Sequence, residues 1–233
     1  MKVQHYDSYQ ALSEAAADFV LNRLAGTHKR MLCAATGGSP TAMYAALAKR
    51  KSELDITNLK ILKLDEWYQL PMELDGTCEA YLQQHLLRPL SIPASNYISF
   101  DSMAPDPASE CKRIQDAISS EGPIDVCILG IGMNGHLALN EPAEELEPAV
   151  HLGELADSSK SHPMIIGSQF RPTHGFTLGI GDILKARTIV LLVHGPKKKT
   201  IFTKLMNKKV STFLPASLLW LHPDAYCFYT DQE

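Results

Sequence analysis

At 233 residues the chain is long enough to bury a full core, and this length suits one large α/β domain or two small ones. A formal net charge of -4, with both signs interspersed, leaves no basic footprint and disfavours nucleic acid as the main partner. No run of eighteen apolar residues occurs and the first residues, MKVQHYDSYQ, lack a long apolar segment, so a soluble cytoplasmic protein with no membrane partner is expected. The five cysteines form no C-x-x-C pair and their number is odd, while Cys33, Cys127 and Cys227 sit inside apolar runs. They read as buried thiols in a reducing compartment.

Leu12, Ala16, Phe19, Val20 and Leu24 recur at helical spacing, which predicts an amphipathic helix over residues 10–24. MLCAA, from Met31, is a short strand, and ATGGSPT follows it directly. Gly37 and Gly38 can make a tight turn, after which Ser39 can cap a helix whose first residue is Pro40. Free amides at a positive helix end, with the hydroxyls of Thr36, Ser39 and Thr41, make a cradle for phosphate. An ordinary strand-to-helix turn with a well-made cap fits the same residues.

LKILKLDEW begins as a strand at Leu59 and ends in Asp65 and Glu66, beside the large ring of Trp67. Two adjacent carboxylates at the end of an apolar strand point to a site, although loop acids are also common on surfaces. A helix over 77–87 offers Tyr81, Leu82, His85 and Leu86 to its buried face, with His85 as scaffolding. An edge strand over 97–100 and a helix over 106–120, opened by Asp106 and Pro107, follow.

The stretch IDVCILGIGMNGHLALNEP, residues 124–142, organises the rest. An apolar run ends in three glycines and then delivers Asn134, His136, Asn140 and Glu141, as a buried parallel strand does when it hands over to a functional loop at its carboxyl end. Gly130, Gly132 and Gly135 satisfy the dinucleotide pattern G-x-G-x-x-G, but Pro142 would stop the required helix near Asn140. The glycines more plausibly let backbone amides approach a small polar ligand.

Residues 144–174 form the least regular part and fit a lid or pocket wall, a two-stranded excursion or a plain surface segment. FTLGIGDIL gives a short strand and a helical turn, and RTIVLLVHG a strong buried strand. Lys197, Lys198 and Lys199 then start a helix against the usual dipole preference, which has a reason if one ammonium faces a bound anion; a solvated lysine run is the plainer reading. A short helix over 215–221 and the strand AYCFYT close a doubly wound alternation of strands and helices.

TGGSPT, KLDEW, GIGMNGHLALNEP, TLGIGDIL, LLVHGPKK and SLLWLHPDA together resemble, in order and over nearly the whole chain, the glucosamine-6-phosphate deaminase and 6-phosphogluconolactonase superfamily. The wording around LDEW and HLALNEP is similar to its galactosamine-6-phosphate isomerase or deaminase branch. The resemblance implies one domain over residues 1–233, an α/β fold of modified Rossmann-like three-layer α/β/α type with a mostly parallel sheet, and no nicotinamide cofactor. It implies catalytic roles for Asp65 in proton transfer, for His136 in ring opening and for Glu141 as its partner, with phosphate contacts from Gly37, Gly38, Ser39 and Lys198.

Asn134 stands where some members carry an aspartate, which keeps a local hydrogen-bonding role and removes a charged relay. Arg171 is the candidate for a phosphate-contacting arginine by its proximity in sequence, and Glu66 and Gly132 complete the expected binding set with Thr36 and Thr41. The implied partner is a small amino-sugar 6-phosphate, converted to a ketose 6-phosphate and ammonia without a cofactor, and no H-E-x-x-H or clustered Cys/His pattern suggests a metal. A 6-phosphogluconolactonase and a non-enzymatic sugar-phosphate sensor are the alternatives, and the subunit count stays open. The chain ends soon after its last strand, so allosteric activation by an amino-sugar phosphate is not expected.

Overall fold

A computed structural model describes residues 1–26, 29–160, 164 and 171–232. Seven strands, β1 (Lys2–His5), β2 (Arg30–Ala34), β3 (Leu59–Lys63), β5 (Tyr97–Ile98), β6 (Val126–Gly130), β9 (Thr188–His194) and β10 (Ala225–Thr230), form one parallel sheet. Their order is β1-β10-β9-β6-β2-β3-β5. Helices α1 (Tyr9–Leu24), α2 (Thr41–Lys49), α5 (Pro107–Glu121), α7 (Ile180–Leu184) and α8 (Lys199–Met206) flank this sheet, which makes the three-layer α/β/α arrangement. Strands covered on both faces read as continuous apolar runs rather than alternating ones, and β9 is buried along its length until His194.

A second, antiparallel sheet joins β4 (Asp65–Trp67), β8 (His174–Thr177) and β7 (His151–Glu154) in the order β4-β8-β7. Of the readings left open for residues 144–174, the described residues combine two: a strand excursion, which includes the short helix α6 (Asp157–Lys160), and a pocket wall, to which Ser159 and Met164 contribute. Ser161 to Pro163 and residues 165–170 of that stretch lie outside the described residues.

Several expectations are corrected. Asp65, Glu66 and Trp67 are a strand of the second sheet rather than the tail of β3. Ser39 does not cap α2, which starts one residue later, after Pro40, with no side-chain cap. The helix expected over 77–87 is α3 (Cys78–Leu82), capped by Thr77, and it continues through a wide turn at Gln83–Leu87 into α4 (Arg88–Leu90). The lysine run does not open a helix as a block: Pro196–Lys198 is a 3-10 turn and only Lys199 enters α8. Strand β1 was not expected because its residues are mostly exposed and lack an apolar pattern; pairing with β10 makes it a strand.

The order of the sheet positions the site. From β2 the chain proceeds to β3 and β5 on one side, while β6, β9 and β10 lie on the other, so the loops after β2 and β6 diverge and leave a crevice at the carboxyl ends of the strands. The central register pairs Cys33 with Cys127 and Gly130 with Leu192, which brings these ends to one level.

Candidate active site

A cavity of about 740 Å³ opens in this crevice, lined by the ends of β2, β3, β6 and β9 and by β4. One wall is the loop of residues 35–39. Gly37 has φ +95, a conformation that side chains with a Cβ rarely adopt. Two tyrosines tie the loop down from outside: the Tyr9 hydroxyl donates to Gly38 O (2.6 Å) and accepts from the Ala42 amide (3.1 Å), and the Tyr81 hydroxyl donates to Gly37 O (2.8 Å). With these carbonyls engaged behind the loop, the face of Thr36, Gly37, Gly38 and Ser39 toward the cavity is available to an anion. Lys198 also lines the cavity, half-buried, its Nζ donating to Ile131 O (2.6 Å), and burial holds its amine below the ordinary lysine value.

Beyond β6 the loop folds back on itself. The Gly132 amide donates to His136 O (3.0 Å) and the Gly135 amide to Gly132 O (3.0 Å), so no helix follows Gly135 and no dinucleotide turn is built. Asn140, buried, pins the next turn by donating to Leu137 O (3.0 Å) and Leu178 O (2.9 Å). Held this way, Glu141 faces His136, with its Oε2 3.0 Å from His136 Nδ1. The same oxygen accepts from Asn134 Nδ2 (2.8 Å), and Oε1 accepts from the Ser159 hydroxyl. Burial works to raise the Glu141 carboxyl, but the hydrogen bonds and charge of His136, with Ser159 and Asn134, outweigh it and bring the carboxyl down to about 2. An ionised carboxylate only accepts, so Nδ1 carries the proton and Nε2 is left for the cavity. The ring lies on Gly132, where an added Cβ would come within 2.3 Å of Nε2.

Asp65 also lines the cavity and is nearly enclosed. Burial, and then the neighbouring charge of Glu66, raise its carboxyl to about 7 against smaller opposing effects of Cys78, His136 and Lys63. A carboxyl poised there exchanges protons near neutral pH.

The structure therefore gathers Thr36, Gly37, Gly38, Ser39, Asp65, Gly132, His136 and Lys198 around one cavity, with Asn134 and Glu141 behind the imidazole. Three expected ligand residues lie elsewhere. Glu66 is fully enclosed, bonded to Lys63 Nζ (2.8 Å) and to the amides of Trp67, Cys78 and Glu79, so it secures the start of α3 instead of facing a ligand. The Thr41 hydroxyl points back to Gly37 O (3.1 Å) and Tyr81. Arg171 is exposed and does not line the cavity.

Sequence reasoning missed His194, Cys78 and Ser159, all of which line the cavity. His194 ends β9, so the strand-end rule that singled out Asp65 was available for it; its ring stacks on Tyr9 with centroids 4.0 Å apart. Ser159 comes from the irregular stretch and carried no signal. Among the described residues no group of three or more His, Cys, Asp or Glu is arranged to hold a metal ion, and no helix is long and apolar enough to cross a membrane.

Residues 7–227 match the family model described as glucosamine-6-phosphate isomerases/6-phosphogluconolactonase. The chain is 40% identical, over 97% of its length and 90% of the relative's, to a protein of Escherichia coli (strain K12) named "Putative deaminase AgaI". It is 33% identical to a glucosamine-6-phosphate deaminase of Clostridium novyi (strain NT), covering 96% of this chain and 95% of the relative. Among solved structures, a monomeric glucosamine-6-phosphate deaminase superposes with a TM-score of 0.90 at 29% identity, covering 97% and 96% of the two chains. A 6-phosphogluconolactonase from Thermotoga maritima shares the fold, with a TM-score of 0.77 at 18% identity over 97% of each chain.

Proposed function

The chain belongs to the glucosamine-6-phosphate isomerase/6-phosphogluconolactonase family, and from that premise we propose that it is an amino-sugar-6-phosphate deaminase that isomerises an aldose to a ketose with loss of ammonia. The observation that carries this reading is the pairing of an ionised Glu141 with His136 at the same cavity as a carboxyl poised near neutral pH. A lactonase has no need of that second proton-transfer group, because ester hydrolysis moves no carbon-bound proton.

The substrate phosphate sits between the 36–39 loop and Lys198, where backbone donors and one ammonium meet a dianion. An amino-sugar phosphate is mostly a closed ring, so a proton must first pass between the anomeric hydroxyl and the ring oxygen. His136 does this through Nε2 while Glu141 holds its tautomer, and Asn134 fixes both by bonding Glu141 and the His136 amide (3.1 Å). Asp65 then removes the C2 proton of the open chain and returns it at C1. With O1 protonated to a hydroxyl, that shift leaves a C2=N iminium on the carbon bearing nitrogen; water adds to it, and loss of ammonia from the adduct puts the ketone at C2.

Between the two C4 epimers, galactosamine 6-phosphate is the first choice, on the wording of LDEW and HLALNEP. Ammonia release from each amino sugar, assayed beside hydrolysis of 6-phosphogluconolactone, tests the proposal. Ammonia from either sugar supports it, and lactone hydrolysis without ammonia overturns it.

A further inference from the structure

Within the proposed machinery Asp65 has its acidity set against a fully enclosed neighbour of like charge, and among the described residues one side-chain donor from another element reaches it. Cys78, the first residue of α3, donates its thiol to Asp65 Oδ1 (Sγ to Oδ1 3.6 Å), within the longer reach of sulfur. The thiol sulfur itself accepts from the Thr36 hydroxyl (3.5 Å). Backbone contacts fix the geometry from behind: the Cys78 amide donates to Glu66 Oε1 (3.0 Å), and Thr77 caps the helix. All three members of this hydroxyl, thiol and carboxylate chain line the cavity.

We propose that Cys78 is a positioning residue for the proton-transferring carboxylate: its neutral thiol holds Oδ1, leaves Oδ2 to face substrate, and, as a weak donor, steadies the ionised form less than a hydroxyl in its place. The proposal rests on the reading of Asp65 as the base. Burial, with the nearby carboxylates of Glu66 and Asp65, keeps the thiol well above its ordinary range, so it remains a donor at working pH and is no competing nucleophile. The other charged or titratable groups around Asp65 are Glu66 on its own strand, Lys63 from β3, His136 from the loop after β6, Cys33 of β2 and Tyr44 of α2. Cys33 and Tyr44 are fully buried and stay neutral, so the charge balance is set by Glu66, Lys63 and His136, which substitutions at Cys78 leave in place.

Two substitutions push in opposite directions. A hydrogen bond to a carboxylate favours its ionised form, and a hydroxyl is the stronger donor. Cys78→Ser is expected to move the acid limb of the kcat profile to lower pH, and Cys78→Ala to higher pH, each by about half a pH unit or more. A cysteine that only fills space gives shifts of one sign or none, and that result overturns the proposal. A second measurement needs no turnover. The S–H infrared band of Cys78, isolated as wild type minus Cys78→Ser, is expected to move to lower frequency as pH rises through about 7, when Asp65 ionises, and to stay fixed over that range in Asp65→Asn. A band that does not respond to pH refutes the contact whether or not the protein deaminates sugars, while a responsive band in a protein that releases no ammonia keeps the contact and sinks the assigned reaction.

Discussion

Asp65 and Glu66 are neighbours in sequence that face opposite sides of β4. Asp65 looks into the cavity with Trp67, while Glu66 points into the protein and meets the ammonium of Lys63 at 2.8 Å. Alternation along a strand makes this division unavoidable once β4 pairs with β8, Asp65 opposite Thr177 and Glu66 opposite Phe176. The wholly buried Lys63 is shared with Glu79 (2.9 Å), and burial, which disfavours its charge, is outweighed by the two carboxylates, so its amine stays above the ordinary value. Glu66→Gln keeps the shape but removes the negative charge beside Asp65. The acid limb of the kcat profile should move to lower pH, and stability in a urea titration should fall by about 2 kcal/mol, because Lys63 keeps only one charged partner.

Asp65 itself costs stability. Its carboxyl is raised from 3.8 to about 7 in the folded chain, so the native state binds a proton more tightly than the unfolded one. The penalty is absent below the unfolded value, grows as pH rises from about 4 to about 7, and is constant above that. Asp65→Asn should therefore be more stable than wild type at pH 8, by on the order of 2 kcal/mol, and no more stable near pH 3.5, while its kcat collapses. Equal stability of the two proteins at pH 8 in urea titrations would remove the raised carboxyl.

Most of the layer order was legible in the sequence because buried parallel strands are continuous apolar runs, as β6 and β9 show. The loops at their ends were legible for a related reason: polar residues directly after such runs lie at the carboxyl edge of the sheet, which pointed to Asp65 and to the loop carrying His136, while Lys198 was picked out of the lysine run only by the family resemblance. What was illegible depends on partners distant in sequence. No local pattern says that Glu66 faces Lys63 and Asp65 does not, since that follows from a strand pairing with residues 174–177. Nor does the sequence show Tyr9 and Tyr81 holding the 36–39 loop, a task that made the Ser39 cap unnecessary. Ser159 reaches Glu141 only because the irregular stretch folds over the site.

Gly132 is required for the imidazole. An added Cβ there would come within 2.3 to 2.4 Å of three ring atoms of His136. The ring cannot retreat and keep its bond to Glu141, so Gly132→Ala should lower kcat about a hundredfold, the scale of misplacing a catalytic group by an ångström. Binding of inorganic phosphate as a competitive inhibitor should change little, because the 36–39 loop is untouched. A variant with normal kcat would mean that the ring has a second working position.

Lys198 supplies charge to the anion end of the cavity at the cost of desolvation already expressed in its depressed amine. Lys198→Ala should raise KM for the sugar phosphate roughly tenfold, as expected for a charge-assisted contact of about 1 to 2 kcal/mol, with thermal stability near wild type. Calorimetry with inorganic phosphate reads the same loss without turnover. Unchanged affinity moves the anion away from Lys198 toward its neighbours in the lysine run.

His136 and Asp65 are assigned to different steps, and the assignment can be separated by isotope exchange. The imidazole, with Nδ1 held by Glu141, works on the ring oxygen and anomeric hydroxyl, so His136→Ala should be most damaging with a closed-ring substrate. Supplied with an open-chain analogue, that variant should still exchange the C2 proton with solvent deuterium, because Asp65 is intact. Asp65→Asn should do the reverse, since an amide nitrogen cannot accept the proton even though the side-chain shape is kept. General acid–base catalysis is typically worth about a hundred- to ten-thousand-fold, so each lesion is well within the range of a kcat measurement. Glu141→Gln is the third arm: it keeps the contact geometry but no longer favours the Nδ1 proton, and it should resemble His136→Ala in the closed-ring assay while sparing exchange. Deuterium incorporation followed by NMR in all three variants decides the matter. Vigorous C2 exchange in Asp65→Asn removes Asp65 as the base, and Glu66 cannot replace it without turning its side chain out of the Lys63 contact.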